Sequence, residues 1–115
     1  MGYARISVKV VQYVAEDGTD YFGEWLQRQS SEVRACIQTR IDRVELGNFG
    51  DHKRVGRGVS ELRIDFGPGC RIYYGSDGKE LVILLAGGTK KRQARDIATV
   101  QACWRAYQQE KRKCQ

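Results

Sequence analysis

Glu61-Leu62-Arg63-Ile64-Asp65-Phe66-Gly67-Pro68-Gly69-Cys70-Arg71-Ile72-Tyr73-Tyr74 is the stretch that decides the fold. Its first half alternates, so that in an extended chain Leu62, Ile64 and Phe66 share one face and Glu61, Arg63 and Asp65 the other. Gly67-Pro68-Gly69 is a tight connection, because proline presets its own φ and glycine takes conformations that other residues resist. The second half alternates again, with Cys70, Ile72 and Tyr74 on one face and Arg71 and Tyr73 on the other. Two alternating strands across a tight turn predict an antiparallel hairpin. Its aliphatic side, Phe66 included, should pack on helices, and its open side should carry Arg63, Asp65, Arg71 and Tyr73.

Downstream, Ser76-Asp77-Gly78 is a second hairpin turn, and Leu81 to Ala86 is apolar throughout, the pattern of a strand covered on both faces. Gly87-Gly88 then frees the chain and Thr89 can cap. Ile97, Val100, Trp104 and Tyr107 give a last amphipathic helix that runs into a basic tail. Upstream, His52 to Val55 reads as a short strand before the turn Gly56-Arg57-Gly58. Val33, Ile37, Ile41 and Val44 recur at i, i+4, i+8 and i+11, a helix with Ser31 as its N-cap that stops at Gly47. Before it, the turn at Asp17-Gly18 leads to Thr19, which can cap a shorter helix carrying Phe22, Trp25, Leu26 and Gln29. Ile6 to Val10 alternates as a first strand that continues loosely to Tyr13. The expected fold is α+β in the order β-α-α-β-β-β-α, an antiparallel-dominated sheet with helices packed on one face, forming one domain over residues 1–115.

Charge is unevenly distributed. Residues 1–51 hold eight acids and six bases, a net of −2, whereas residues 52–115 hold six acids and fourteen bases, a net of +8. A basic half concentrates polyanions, so nucleic acid is the first partner to consider and an acidic protein the second. Cys36, Cys70, Cys103 and Cys114 are widely spaced and form no C-x-x-C pair, which argues against a zinc or redox motif and for free thiols in a reducing compartment. The segment Met1 to Val14 is broken by Arg5 and Lys9 and has no apolar core of a signal peptide, and no stretch has the length of a membrane span. A cytoplasmic location is expected.

The strongest local anomaly is Thr89-Lys90-Lys91-Arg92, three cations at the start of a predicted helix, where they oppose the positive end of the helix dipole and intensify an anion site. Taken singly, the basic residues have plain structural readings. Arg63 would be ion-paired between Glu61 and Asp65, Arg71 and Tyr73 would be cross-strand partners, and Lys53, Arg54 and Arg57 would be solvated. Their convergence on one side of a small sheet, with tyrosines beside them, suits phosphates and unstacked bases. Gly87-Gly88-Thr89-Lys90 is not a phosphate loop, since it lacks G-x-x-x-x-G-K-[ST] and reverses Thr and Lys. His52 is the only histidine, so a His–His ribonuclease pair and a multi-histidine metal site are both excluded. Glu61 and Asp65 sit amid cations that would neutralise them as metal ligands. A mechanism without metal or other cofactor is expected.

Gly58 to Tyr74, followed by Leu84-Leu85-Ala86-Gly87-Gly88-Thr89-Lys90-Lys91, resembles the RelE/ParE superfamily and, more narrowly, its HigB-like, phage Gp49-like addiction module killer branch. The likeness extends back to Gly47-Asn48-Phe49-Gly50-Asp51 and forward to Arg95-Asp96-Ile97-Ala98. RelE-like members are toxins of type II toxin–antitoxin pairs that cleave mRNA in the ribosomal A site without metal. The resemblance therefore implies attack of a 2′-hydroxyl on the neighbouring phosphate, leaving a 2′,3′-cyclic phosphate. It implies that Arg63 stabilises the transition state, that Arg71 fills a second basic position with a catalytic or a structural role, and that Lys90 or Lys91 holds the scissile phosphate. Lys53 and Arg54 match an upstream basic strand that serves as base or RNA contact, and Arg57, Tyr73 and Arg92 join them as RNA contacts. The implied partners are the ribosome with its mRNA and a cognate antitoxin, a helix-turn-helix protein of the HigA type. Two departures stand out: Cys70 occupies a position where many relatives carry an aromatic residue, and no histidine lies near the C-terminus. The superfamily's branches differ in target, so a ParE-like gyrase inhibitor that acts by binding, or an attenuated non-catalytic relative, are the alternative readings.

Overall fold

The computed structural model describes residues 7–114; Ile6, the first residue of the expected first strand, lies outside them. Strand β1 (Lys9–Gln12) is followed by helices α1 (Tyr21–Gln27) and α2 (Ser31–Glu45), by strands β2 (His52–Gly56), β3 (Val59–Ile64), β4 (Cys70–Asp77) and β5 (Leu81–Thr89), by a short 3-10 turn at Lys90–Arg92, and by helix α3 (Gln93–Lys113). The class is α+β, as expected. His52–Gly56 is a full member of the sheet, which makes four strands after the helices where the predicted order had three. The five strands lie in the order β1-β5-β4-β3-β2, antiparallel except for the parallel pair of β1 and β5.

The helix caps shift by one residue from those expected. The Asp20 side chain accepts from the Gly23 N–H, and Ser30 from the Val33 N–H, so these residues rather than Thr19 and Ser31 close the first turns. Within α2 the predicted stripe holds: Ile37, Ile41 and Val44 are buried and Val33 packs at the edge of the core.

Contrary to the expectation of helices on one face, the sheet is covered on both. Phe22, Trp25, Ile37, Ile41 and Val44 of the first two helices pack on Leu62, Ile64, Cys70, Ile72, Tyr74, Val82 and Leu84. On the other side, Val100 and Trp104 of α3 pack on Val59, Tyr73, Ile83 and Leu85. The cause is β5, whose buried run Val82 to Leu85 presents apolar side chains both ways and cannot leave either face to water. Each large side chain buried in these layers contributes roughly 1.5–3 kcal/mol. A bulge in the β4–β5 pairing places Tyr73 opposite Ala86 but Tyr74 opposite Leu84, so that Leu85 and Ala86 both join the α3 side. Two glycines let the helices close on the sheet. A Cβ on Gly75 would collide with the Trp104 ring, and one on Gly87 with the Trp25 ring.

Two hairpin residues are corrected. Tyr73, expected on the open side, is fully buried beneath α3. Phe66, expected in the core, is 39% exposed, because β3 ends at Ile64 and the Phe66 carbonyl instead accepts the Gly69 N–H of the connecting turn at 3.2 Å.

Candidate nucleic-acid interface

The register of the hairpin sets the site. Arg63 of β3 is directly opposite Arg71 of β4, and Arg71 is opposite Gly88 of β5, so one row crosses the sheet on the α3 side. The preceding row on the same side is Lys53, Glu61, Tyr73 and Ala86, roughly 7 Å away along the strands. Helix α3 stops between the rows. The Nε2 of Gln93, its first residue, donates to both carboxylate oxygens of Glu61 at 2.9 Å, so the helix ends over Glu61 and the row of Arg63 and Arg71 lies past its N-terminus.

The two arginines are held differently. The Arg63 guanidinium donates through Nε and Nη2 to one Asp51 oxygen, at 3.1 and 2.8 Å, and remains 39% exposed. These hydrogen bonds hold the Asp51 carboxyl below its usual range and raise Arg63 in turn. The expected pairing of Arg63 with Glu61 and Asp65 is thus replaced by Asp51. Glu61 is instead wholly buried, with Gln93 as its hydrogen-bond partner and Arg71 Nε 3.8 Å away. Arg71 itself is buried and donates through Nη1 to the Cys70 carbonyl at 3.1 Å, while its Nε has no hydrogen-bond partner. Burial pushes the Tyr73 hydroxyl far up, with Asp96 and Glu61 adding to the effect, and that hydroxyl too lacks a partner. Tyr73 therefore offers no face to an RNA base.

Lys90 joins the row from the end of β5. Its N–H donates to the Gly69 carbonyl at 3.0 Å, and a Cβ on Gly69 would touch both the Lys90 Cβ and the Arg71 guanidinium. Lys91 is exposed on the same 3-10 turn, and Arg92 turns towards α1 instead. Thr89 heads this turn without a side-chain cap bond, so the three cations precede α3 rather than forming its first turn.

The remaining basic residues separate. Lys53 shares the Arg63 side, one row back and exposed. Arg54 pairs with Ser60 and so projects from the opposite face. Arg57 sits in the β2–β3 turn with φ of 55°, beside Gln101 and Arg105 of α3, beyond the start of β3 at Val59, which is itself four residues or roughly 13 Å from Arg63. His52 pairs with Leu62 and faces away from Arg63, with Nδ1 2.8 Å from the Gly50 carbonyl. Cys70 is buried in the α1/α2 core and leaves no stacking surface.

One residue of the site escaped the sequence reading. Arg40 of α2 donates to the carbonyls of Arg63 (2.6 Å), Phe49 (3.0 Å) and Asp51 (2.8 Å), tying the Asp51 loop to β3 from behind. A signal was present: Arg40 is three residues after Ile37 and four before Val44, so it is a cation on the margin of an apolar stripe. Among the described residues no three His, Cys, Asp or Glu side chains gather as metal ligands would, and no helix is long and apolar enough to cross a membrane.

The family described as phage-derived protein Gp49-like matches residues 24–111, a span that holds every basic residue discussed here. An uncharacterized protein of Haemophilus influenzae is 47% identical over 77 residues, which cover 66% of this chain and 78% of that relative.

Proposed function

Because the chain belongs to the phage-derived Gp49-like family of RelE/HigB-like addiction module killer proteins, we propose that it is the toxin of a type II toxin–antitoxin pair and an endoribonuclease that cleaves mRNA on the ribosome. The observation that carries this reading is the row of Arg63 and Arg71 with Lys90 beside it, at the end of the sheet that α3 leaves open.

In the proposed reaction the 2′ oxygen attacks the adjacent phosphorus and the bond to the 5′ oxygen breaks. The products are a 2′,3′-cyclic phosphate and a 5′-hydroxyl, and the proton lost at O2′ is balanced by the one gained at O5′. Extra negative charge develops on the non-bridging oxygens, and the exposed Arg63 guanidinium, already oriented by Asp51, meets it. A preoriented donor of this kind is worth on the order of a hundredfold or more in rate. Lys90, and Lys91 beside it, hold the phosphate, and Lys53 contacts the strand one row back. Arg71 acts from below: buried against Glu61, it adds positive potential and positions its neighbours without itself touching RNA. Its antitoxin would neutralise the same basic row, and a helix-turn-helix partner of the HigA type fits that role.

The test is to add the purified chain to a translating extract and map mRNA 5′ ends. New ends that appear only with ribosomes present, and that fade with Arg63→Ala, support the proposal. Intact messages at doses that arrest growth, together with DNA damage, would replace it with a gyrase-directed reading.

A further inference from the structure

The parallel pairing of β1 with β5 ends at Gln12 and Leu84, extended only by the Tyr13 N–H to the Leu84 carbonyl at 2.8 Å. From Leu85 to Thr89, β5 has β4 as its one strand neighbour among the described residues. Its other edge is open for five residues, roughly 17 Å of strand. An edge of this kind is a template for another chain, and proteins usually blunt or cover it. Here no proline caps it; the bulge at Leu85 marks its start, and from Ala86 to Thr89 it lies in the floor of a cleft of about 370 Å³ between α1 and α3.

The walls of the cleft differ. On the α1 side are the Tyr21 and Trp25 rings and, at the helix end, Arg28; on the α3 side are Arg92, Arg95 and Asp96. Gly87 and Gly88 are what allow this closeness, since a Cβ on the first would strike Trp25 and on the second the Asp96 carboxylate. Three arginines face one carboxylate, and the Asp96 Oδ2 is a buried acceptor with no hydrogen-bond partner among the described residues. A second copy of this chain is a poor occupant, because symmetric edge pairing would bring the three arginines of one copy against those of the other.

We propose that this edge receives an extended acidic peptide segment of a partner protein as a sixth strand, alternate side chains meeting Tyr21 and Trp25 on one side and Arg92 and Arg95 on the other. Backbone hydrogen bonds to β5 supply binding, and the two-residue period of a strand sorts apolar from acidic side chains between the walls. The site lies across β5 from Arg71, so it stands whether or not the chain cleaves RNA.

The probe is a fluorescein-labelled octapeptide alternating glutamate and valine, titrated by fluorescence anisotropy onto the purified chain. Saturable binding is expected, weakened at least tenfold by N-methylation of alternate amides along one edge of the peptide, and by a lysine–valine version. Arg28→Glu and Arg95→Glu, both surface changes whose folding is checked by thermal unfolding, should each weaken it at least tenfold. Absence of saturable binding, equal binding of the peptide methylated along either edge, or indifference to both charge reversals would overturn the proposal. So would an eight-nucleotide RNA that displaces the peptide at equal or lower concentration, since the cleft would then be a nucleic-acid groove.

Discussion

Arg63 and Arg71 stand directly opposite each other across β3 and β4, two guanidinium-bearing side chains on one face of adjacent strands. Like charges in that relation are destabilising. Each is relieved by its own carboxylate, Asp51 in the loop before β2 for Arg63 and buried Glu61 for Arg71, so the two cations are balanced and the pair is tolerated. The arrangement leaves the outer guanidinium free on one side, and a phosphate between the strands and Lys90 would complete its partners.

Arg63→Ala should therefore abolish most of the proposed cleavage, by about a hundredfold or more, with only a small loss of stability from the exposed pair with Asp51. Asp51→Asn should keep Arg63 charged but loosen it, reducing cleavage by about tenfold, since orientation rather than charge is lost. Single-turnover cleavage of a ribosome-bound message measures both. Equal losses for the two variants would mean that Asp51 does more than orient Arg63.

Arg71 should behave differently. Arg71→Leu strips a wholly buried Glu61 of its cation and leaves only Gln93 against it, a change that should cost about 3–5 kcal/mol. Adding Glu61→Gln to the same chain should recover a large part, because the uncompensated charge is then gone. Urea unfolding of the two single variants and the double reads this directly. Additive losses would show that the pair is not coupled.

Much of this was legible in the sequence, for reasons that particular residues make plain. The alternation through Leu62, Ile64, Ile72 and Tyr74 and the stripe through Ile37, Ile41 and Val44 are periodic, and periodicity survives into three dimensions. Arg63 and Arg71 fall on one face because the alternation on either side of the five-residue connection, Asp65 to Gly69, pairs them directly. What period alone could not show is which face a helix covers. Tyr73 alternates in phase with Arg71 and does share its face, but that face is the one α3 covers, and the ring is buried there. Arg54 was grouped with Lys53 by adjacency, although successive strand residues point oppositely. Arg40 and Asp51, which reach Arg63 from 23 and 12 residues away, are linked to it only by tertiary contact.

Gly75 offers a test of the second core layer. A Cβ there meets the face of the Trp104 ring, which is itself buried, so neither side can give way without moving α3. Gly75→Ala should cost about 1–3 kcal/mol as an overpacking defect and shift the fluorescence of Trp104. Wild-type stability in this variant would mean that α3 is held loosely on the sheet, against the burial of Val100 and Trp104.

The pH dependence of stability should separate two kinds of aspartate. Asp51 is held below its ordinary value of 3.8 chiefly by the Arg63 hydrogen bonds, and Asp77 by those from Lys111 and Tyr107. A lowered folded value means that the folded chain binds fewer protons than the unfolded one between the two values. Their contribution is then present above pH 3.8 and is lost as the pH falls through the folded value. Asp96 runs the other way. Burial raises it, only partly opposed by Arg92 and Arg95, so its contribution is complete below 3.8 and is lost as the pH rises through its folded value. Asp51→Asn should accordingly flatten the acid limb of a urea-midpoint profile below about pH 4, whereas Asp96→Asn should remove a declining slope that begins near that pH and continues above it. Both aspartates are compared at fixed ionic strength, because Asp51 is exposed and its pairing with Arg63 is screened by salt. An acid limb unchanged in Asp51→Asn would show that the hydrogen bonds to Arg63 do not persist in solution, and with them would go the fixed orientation of the guanidinium on which the proposed phosphate contact depends.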